Sequence, residues 1–307
     1  MPGGPPGAGG ELATTATTGG TLYVVATPIG NLGDVTLRAL EVLRAVPLIA
    51  CEDTRVTRRL LDRHGIEGRL VSYHAHSGPG RLEELLAHLR AGLDVALTTD
   101  AGTPGVSDPG EGLVAAWAAE AGPVVPVPGA SAVLAAVAAS GLAGPRWAFE
   151  GFLPRRGAER RERLARIGRE DRATIIYEAA NRLGPTLRDL GTACGSDRPA
   201  AVCRELTKLH EQIARGSLEE LAAEVDAGRI PALGEVVVVV AARPADDVGE
   251  PPSAGVLDAA LAEVDRRIAA GLGRSEAARA VSASTGIPRR QLYGGSRTVR
   301  GRSAPPG

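Results

Sequence analysis

The residues with the clearest potential for chemistry lie in the segment 98–110, which directly follows a short apolar run. This segment contains three glycines, two prolines and two aspartates, Asp100 and Asp108. Glycine lets the backbone approach a ligand closely, and exposed N–H and C=O groups can bind the carboxylate and ammonium of an amino acid. A purely connecting segment would be shorter. We therefore predict a ligand-binding loop, in which the carboxylate of Asp100 favours a cationic ligand.

A second loop, Thr27-Pro28-Ile29-Gly30-Asn31-Leu32, follows the first apolar run of the chain. Ligands of open α/β sheets bind outside the carboxyl ends of the strands, so this loop is expected to border a crevice. It lacks the G-x-G-x-x-G pattern that cradles a pyrophosphate, and a proline stands at the turn. This favours a ligand without phosphate, although an ordinary strand–helix turn would have the same pattern.

Polar residues follow other apolar runs in the same way. Glu52, Asp53 and Arg55 come after the second run, where an acid could bind a ribose hydroxyl or simply begin a helix. Ser131 and Ala132 are small residues that would let a base or ribose lie against the backbone. Polar groups also border strands at 177–182, 203–208 and 233–235. Each alone is typical of a surface turn, but three facing one cleft indicate a site.

Several kinds of site are not indicated. His74 and His76 share a face of an extended segment, but no third ligand stands at a recognisable spacing, so no metal site is predicted. The three cysteines lack metal spacing and suit a reducing cytoplasm. No P-loop, nucleophile elbow or Ser–His–Asp triad can be assembled from the sequence.

An alternation of apolar and amphipathic segments positions these loops. Strands are predicted at 22–26, 48–51, 69–72, 95–98 and 124–127, with helices near 36–45, 54–64, 81–91, 112–121 and 132–139. Strands separated by helices predict a parallel sheet with right-handed crossovers and helices on both faces. The strand-to-helix connections then gather at one edge, where the polar motifs lie.

A glycine-rich break at 141–145 introduces a second, smaller α/β domain. Its strands are predicted in the runs 173–177, 200–203 and 234–242, and its helices at 182–190 and 217–227. Helical patterns at 256–270 and 275–284, and a turn near 289–293, follow a linker. The predicted organisation is a disordered tail at 1–20, α/β domains at 21–143 and 144–243, a linker at 244–254, a helical module at 255–294 and a basic tail at 295–307.

Charge is distributed unevenly along the chain. The segment from Gly255 onward carries nine arginines against four acidic residues, a net +5, so the rest of the chain carries -6 within the total of -1. A basic end on an acidic body suggests a polyanionic partner, although a solvated arginine-rich tail has the same composition. The longest apolar run, 236–242, is too short to span a bilayer, so no membrane association is predicted.

Seven ordered motifs resemble those of the ribosomal RNA small subunit methyltransferase I family, part of the tetrapyrrole methylase superfamily. They lie at 26–32, 51–55, 100–104, 127–129, 150–154, 177–178 and 204–208, and residues 271–293 resemble the family's helix-turn-helix-like C-terminal domain. The resemblance implies S-adenosyl-L-methionine as methyl donor, folded between two α/β domains. It implies 2′-O-ribose methylation of a cytidine near the decoding centre of 16S rRNA, within the assembled small ribosomal subunit, by a cytoplasmic homodimer.

The resemblance also implies roles for individual residues. The donor is expected to contact Pro28, Gly30, Asp100, Gly102, Thr103, Pro104, Val106, Ser131, Ala132, Tyr177, Gly234 and Glu235. RNA is expected to contact Asn31, Glu52, Asp53, Arg55, Arg155, Arg156, Arg204, Arg289 and Arg290. Lys208, Glu205 and Glu178 are candidate catalytic residues, and Asp100 is a further candidate base; Lys208 could be the base if burial lowers its pKa. The sequence departs from the family pattern at Ser77, Ala179 and Leu233.

Two other functions fit part of the sequence. Methylation of a small tetrapyrrole is the commoner activity of this superfamily, but it needs neither the basic stretch at 155–172 nor the basic tail. A nucleic-acid-binding regulator could read its target with the C-terminal helices, but the acidic and glycine-rich loops would then have no role.

Overall fold

The computed structural model describes residues 19–243, 254–285, 287 and 292, which belong to two compact units. The larger unit ends at Arg243 and holds two β-sheets, one in each of the predicted α/β domains. The predictions for residues 1–18, for 244–253, for Arg289 and Arg290, and for 295–307 fall outside the described residues. So does most of the turn predicted near 289–293.

The first sheet is entirely parallel. Its strands are β1 (Leu22–Val25), β2 (Leu48–Cys51), β3 (Leu70–Ser72), β4 (Val95–Thr98) and β5 (Val124–Val127). They alternate with α1 (Leu37–Ala45), α2 (Thr54–Arg63), α3 (Pro79–Arg90), α4 (Glu111–Ala119) and α5 (Ala132–Ser140). The strand order is β3-β2-β4-β1-β5. Each of the five predicted strands and helices is present, with ends that differ by at most two residues.

The strands of this sheet are buried on both faces. Val95 and Leu97 of β4 join the apolar cluster formed with α3 and α4, whereas Ala96 joins the cluster with α1 and α2. This alternation follows from the two-residue period of a strand, and the continuous apolar runs are typical of a parallel sheet covered by helices. Asp53 and Ser131 begin α2 and α5 as side-chain caps at the carboxyl edge of the sheet.

The second sheet is mixed. Its strands are β6 (Trp147–Phe152), β7 (Ala173–Ala179), β8 (Pro199–Arg204), β9 (Gln212–Ser217) and β10 (Glu235–Val240). The order is β6-β7-β10-β8-β9, with β6 parallel to β7 and the other pairs antiparallel. The helices are α6 (Ala158–Gly168), α7 (Leu183–Cys194) and α8 (Leu218–Asp226). Two α/β halves are the predicted fold class, which is confirmed.

Helix α5 connects the two halves by packing. It follows the last strand of the first sheet, yet its Val133 and Ala136 pack against Cys203 and Val237 of the second sheet. The opposite face of the second sheet is covered by α6, α7 and α8, where Val238 faces them. The carboxyl edge of the first sheet is thereby held against one face of the second.

Three elements of the second half escaped prediction: β6, α6 and β9. Helix α6 is rich in arginine and glutamate, and its Leu164 and Ile167 reach the core. Strand β9 is an edge strand that contains Arg215 and Gly216, so it lacks the apolar run of a central strand. Packing against the rest of the second half stabilises α6 and β9 more than their intrinsic preference does.

The smaller unit contains α9 (Ala254–Ala269) and α10 (Arg274–Thr285), close to the two helices predicted there. Val264, Ala278 and Val281 belong to its apolar cluster, together with Ile287 and Leu292. In the described part of the chain, no helix combines the length and the apolar character needed to cross a bilayer.

Candidate active site

The loops that follow β1 and β4 bind each other at the carboxyl edge of the first sheet. Thr27 and Gly102 form an antiparallel bridge, with N–H···O distances of 2.8 and 3.0 Å, and the Thr27 hydroxyl donates to the carbonyl of Thr99 at 3.0 Å. Gly102 has φ +80°, a conformation that favours glycine. Strands β4 and β1 are neighbours in the sheet, and the connections that follow them run in opposite directions, from β1 to β2 on one side and from β4 to β5 on the other. Such a reversal is where open α/β sheets form a ligand crevice.

A cavity of about 590 Å³ opens between this edge and the second sheet. The first half contributes residues from the loops after β1, β4 and β5, and the second half contributes the ends of β6, β7, β8 and β10. Its lining comprises Ile29, Ala101, Gly102, Thr103, Val106, Ser107, Asp108, Ser131, Ala132, Phe152, Tyr177, Glu178, Ala179, Ala180, Asn181, Cys203, Leu206, Ala232, Leu233, Gly234, Glu235, Val236 and Val237. A volume of this size suits a small-molecule cofactor.

Eight of the twelve predicted donor-binding residues line this cavity: Gly102, Thr103, Val106, Ser131, Ala132, Tyr177, Gly234 and Glu235. Pro28, Gly30, Asp100 and Pro104 do not line it, although each is next to a residue or loop that does. In the first loop, Ile29 is the residue that lines the wall.

Gly30 instead joins the first loop to the loop after β8. A Cβ atom on Gly30 would collide with Cγ of Lys208 and lie 3.1 Å from the Thr207 hydroxyl. The neighbouring backbone N–H of Asn31 donates to that hydroxyl at 3.2 Å. The absence of a side chain at Gly30 therefore brings the two halves together beside the cavity.

Lys208 lies between two carboxylates. Its Nζ is 2.9 Å from Oε1 of Glu205 and 3.1 Å from Oε2 of Glu235. Glu205 also accepts a hydrogen bond from the N–H of Glu235 at 2.9 Å. Gly234, with φ +92°, makes room for this carboxylate, since a Cβ atom there would collide with it. Glu205 and Thr207 themselves have positive φ values of 52° and 66°, which non-glycine residues rarely adopt.

These pairs determine the charge of each group. Burial alone would lower the pKa of Lys208, but the hydrogen bonds to Glu205 and Glu235 outweigh it, so its pKa is raised. Burial would raise the pKa of Glu205, but the hydrogen bond from Lys208 and that from the backbone of Glu235 leave it lowered. Lys208 is thus a stable cation, and the condition for its acting as a base, a pKa lowered by burial, does not hold.

Glu178, the third candidate catalytic residue, is committed to other partners. Its side chain is fully buried beside the cavity and is paired with Arg182 at 3.3 Å. The hydroxyl of Thr186 donates to it at 2.6 Å, and the N–H of Ala179 at 2.8 Å. With both oxygens accepting hydrogen bonds, Glu178 holds the end of β7 in place.

Three further acids meet at the carboxyl edge of the first sheet. Asp100 accepts a hydrogen bond from the N–H of Asp53 at 2.9 Å, and its own N–H donates to Glu52 at 3.4 Å. Burial raises the pKa of both Glu52 and Asp100. Asp53 is different, because hydrogen bonds from Arg55 lower its pKa to about 2. Asp100 therefore connects two loops and does not itself line the cavity.

Asp108 is a residue of the cavity for which the sequence alone indicates no individual role. It lines the cavity, and among the described residues it forms no hydrogen bond or ion pair. Burial, with the nearby charges of Glu52, Asp100 and Glu235, raises its pKa to about 6. It also contributes, after burial, to raising the pKa of Tyr177 to about 12. Its place in the glycine-rich loop was visible in the sequence, but the burial that sets its pKa was not.

The charges along the cavity wall limit the kind of ligand. Of its residues in the described part of the chain, Asp108, Glu178 and Glu235 are acidic and none is lysine, arginine or histidine. Apolar and aromatic side chains such as Val106 and Tyr177 supply much of the remaining surface. An anionic ligand is therefore disfavoured, whereas a cationic ligand with an apolar part fits the wall.

Comparison with known proteins gives the family. Residues 21–222 match the family model of the Tetrapyrrole (Corrin/Porphyrin) Methylases. The chain is 47% identical over 274 residues, 89% of its length and 96% of the relative's, to the ribosomal RNA small subunit methyltransferase I of Synechocystis sp.. It is 44% identical to that of Escherichia coli O157:H7 over 76% of this chain and 82% of the relative.

The chain belongs to the ribosomal RNA small subunit methyltransferase I family of tetrapyrrole methylases. The resemblance inferred from its motifs is thus confirmed. Solved structures support the fold of this family. The uroporphyrin III C-methyltransferase of Thermus thermophilus has a TM-score of 0.52 at 20% identity, covering 72% of this chain and 97% of its own. A diphthine synthase has a TM-score of 0.54 at 16% identity, covering 72% and 90%.

The residues predicted to contact RNA in this family member lie in different environments. Asn31 and Arg55 are exposed after the carboxyl ends of β1 and β2 and do not line the cavity, and Arg55 is paired with Asp53 at 2.5 Å. Arg155 and Arg156 are exposed directly after β6. Arg204 is 7% exposed, donates to the carbonyl of His210 at 3.2 Å and does not line the cavity, so a phosphate could reach it only if it moved.

Metal ligands are not grouped in the described residues. No three His, Cys, Asp or Glu side chains there are arranged to hold a metal ion. The backbone N–H of His76 donates to Nδ1 of His74 at 3.2 Å. One nitrogen of that ring is thereby engaged within the turn.

Proposed function

We propose that this protein transfers a methyl group from S-adenosyl-L-methionine to the 2′-hydroxyl of a cytidine near the decoding centre of 16S rRNA. Membership of the ribosomal RNA small subunit methyltransferase I family supports the substrate class. The observation that carries the choice of donor is the wall of the cavity, which contains the carboxyl group of Asp108, without a partner among the described residues, and no lysine, arginine or histidine in the described part. A sulfonium donor is cationic and has no phosphate, in agreement with that wall.

The residues that would hold the donor are those that already form the cavity. Gly102 and Thr103 line the cavity, and because Gly102 has no side chain, the amino-acid part of the donor can approach this loop closely. The N–H and C=O of Gly102 themselves are engaged with Thr27. Ser131 and Ala132 are small enough for a ribose or base to lie against them. When bound, the donor supplies an electrophilic methyl group on its sulfur. Orientation of the two reactants in a closed cleft can contribute ~7–11 kcal/mol to lowering the barrier.

Asp108 is the residue that we assign as proton acceptor for the ribose hydroxyl. Of the three acids lining the cavity, Glu178 is held by Arg182 and Thr186, and Glu235 is paired with Lys208. Asp108 has no such partner among the described residues, and its pKa of about 6 leaves it ionised at neutral pH yet basic enough to take a proton. A general base works best when its pKa lies near the working pH.

Lys208 has a positioning role in this proposal. It is the only lysine of the sequence, in which every other strongly basic residue is arginine. Its ammonium bridges the two carboxylates at the end of an unbranched stem that packs against Gly30, a geometry that the branched, planar guanidinium of arginine does not reproduce. Lys208 thereby fixes Glu235 at the cavity and ties the loop after β8 to the first loop.

The partners and setting follow from the substrate. The assembled small ribosomal subunit is the proposed target, and the cytoplasm is the proposed location. A homodimer is supported by exposed leucines close to the cavity: Leu209 and Leu233 are 92% and 75% exposed, and both adjoin the residues that join the two halves. Large apolar side chains exposed together commonly mark a protein interface.

Methyl transfer from labelled donor to small subunits that lack the modification tests this function. We expect one labelled nucleotide, a cytidine carrying the label on its ribose, after digestion and mapping. Label on a base, or transfer to a tetrapyrrole in place of rRNA, would show that the proposed substrate is wrong. Donor binding alone, measured by calorimetry, separates a failure of the donor assignment from a failure of the RNA assignment.

A further inference from the structure

A second cavity lies between α6 and α7, on the side of the second sheet away from α5. Its volume is about 570 Å³, and its lining comprises Arg161, Leu164, Ala165, Gly168, Arg169, Asp189, Thr192, Ala193 and Arg243. The two helices touch where a Cβ atom on Gly168 would collide with the carbonyl of Ala193. The cavity is therefore a groove bordered by a close helix–helix contact.

Three arginines of this groove have no internal partner. Arg161 and Arg169 are exposed and Arg243 is half-buried, and among the described residues none of their guanidinium groups forms a hydrogen bond or ion pair. The acid of the groove, Asp189, is already neutralised, because it is paired with the buried Arg160 at 2.7 Å. The groove thus carries three uncompensated positive charges.

The neighbouring arginines of α6 behave differently. Arg163 and Arg166 both pair with Glu150, at 3.1 and 2.7 Å. Internal ion pairs thus account for these side chains but not for Arg161 or Arg169. Arg161 and Arg169 are thus available to bind an external anion, and they lie in a cavity that the paired arginines Arg163 and Arg166 do not line.

Further exposed arginines lie along the chain between the first cavity and the groove. Phe152 lines that cavity at the end of β6, and the exposed Arg155 and Arg156 follow it before α6 begins. Arg161 and Arg169 are eight residues apart, so at 1.5 Å per residue they lie about 12 Å apart along the helix. A chain of phosphates leaving the cavity rim could therefore meet several guanidinium groups in succession.

We propose that the groove between α6 and α7 binds backbone phosphates of the rRNA that flanks the methylated nucleotide. This inference rests on the proposed function, since it assigns a second contact surface for the same substrate. Guanidinium groups suit it because their planar fork matches phosphate oxygens and stays charged. Contacts of this kind fix the position of the RNA without reading its sequence.

The test replaces the three arginines together, as Arg161→Gln, Arg169→Gln and Arg243→Gln, in the full-length protein. The control, Arg59→Gln, Arg63→Gln and Arg69→Gln, removes the same charge from exposed arginines that also form no side-chain pair among the described residues. Affinity for unmodified small subunits and for protein-free 16S rRNA is measured from about 50 to 300 mM salt. Each lost phosphate contact should reduce the slope of log affinity against log salt by about 0.7–0.9.

We expect the groove variant to bind rRNA at least tenfold more weakly at low salt, with a slope reduced by about two. The control should stay within about twofold of wild type, and donor affinity should be unchanged in both. If the triple variant folds poorly, Arg161→Gln with Arg169→Gln alters exposed positions alone and should reduce the slope by about two thirds as much. Equal affinities and slopes for groove and control variants would overturn the inference. Methylation of rRNA by the wild-type protein tests the proposed function independently of this result, so failure of the groove inference can be distinguished from failure of the function.

Discussion

At the scale of single residues, Asp108 has the clearest catalytic potential, and its pKa predicts a pH profile. We expect Asp108→Asn to lower turnover by about 10²–10⁴-fold while changing donor affinity by less than about threefold. Wild-type turnover should fall as pH drops below about 6, because protonation removes the acceptor. The variant should lack this dependence. Single-turnover kinetics between pH 5 and 8 measure both, and an unchanged acidic limb in the variant would exclude Asp108 as the group responsible.

The same substitution, which should lower turnover, should make the folded protein more stable at neutral pH. The pKa of Asp108 is higher in the folded protein, about 6, than in the unfolded chain, so protonation favours the folded state. This stabilisation is complete below the unfolded-state pKa and is lost as pH rises through about 6. Asp108→Asn removes the buried charge, so at pH 7.5 it should increase the free energy of unfolding by about 1–2 kcal/mol, after allowing for partial exposure. Near pH 4 the difference should vanish. Denaturant titrations at both pH values check this, and a variant that is less stable at pH 7.5 would contradict it.

Substitutions of Lys208, the only lysine of the sequence, test whether its charge or its shape matters at the site. Lys208→Met keeps the stem that packs against Gly30 but removes the charge shared by Glu205 and Glu235. We expect a fall in turnover of about tenfold or more with donor affinity within about threefold. We expect no recovery in Lys208→Arg, because a planar, branched guanidinium does not reproduce the geometry of the ammonium. Parallel measurements of turnover and donor binding decide it. Full activity in Lys208→Arg would show that charge alone matters.

At the scale of elements, the contact between the loop after β8 and the start of β10 depends on Gly234. Gly234→Ala forces a side chain at φ +92° and into the carboxylate of Glu205, and we expect a loss of about 3 kcal/mol. Gly228→Ala is a matched control, because Gly228 also has positive φ, +73°, but faces open space, and it should cost about 1 kcal/mol. Thermal and denaturant unfolding measure both. Equal losses would mean that backbone strain, rather than the collision, determines the cost.

The sequence predicts elements well where each strand is buried on both faces. The β4 run, Val95–Thr98, and its partners are continuous and apolar, and the polar loops that follow them lie at one edge, as expected. Edge strand β9 and charged helix α6 carry no such pattern, so they could not be recognised from local sequence. Their stability comes from partners distant in the chain.

Contacts across the cavity were also beyond prediction from sequence. Gly30 and Lys208 are separated by most of the larger unit, and nothing in either motif indicates that they touch. Gly30 was predicted to contact the donor, whereas in the structure its lack of a side chain allows the loop after β8 to pack against the first loop. Likewise, the acidic character of the loops was visible, but which acid is paired and which is free depends on three-dimensional neighbours.

At the scale of the whole molecule, the charges are divided between an acidic larger unit and a basic C-terminal segment with a net charge of +5. In the smaller unit, Arg266 and Arg267 are paired with Glu263. Some of the arginines are therefore internally compensated. The cavity and the groove between α6 and α7 both belong to the larger unit.

Removal of the residues after Arg243 tests how RNA binding is shared along the chain. The larger unit contains both sheets and the whole cavity wall, so the truncated protein should fold and bind the donor with affinity within about twofold of wild type. Affinity for rRNA should decrease, with a smaller salt slope, because the basic segment is lost. It should not disappear, because the arginines of the groove remain. Salt-dependent binding of the truncated protein, with and without Arg161→Gln and Arg169→Gln, measures the two contributions. If truncation alone abolished the salt dependence, the basic segment would be the sole electrostatic contact with RNA.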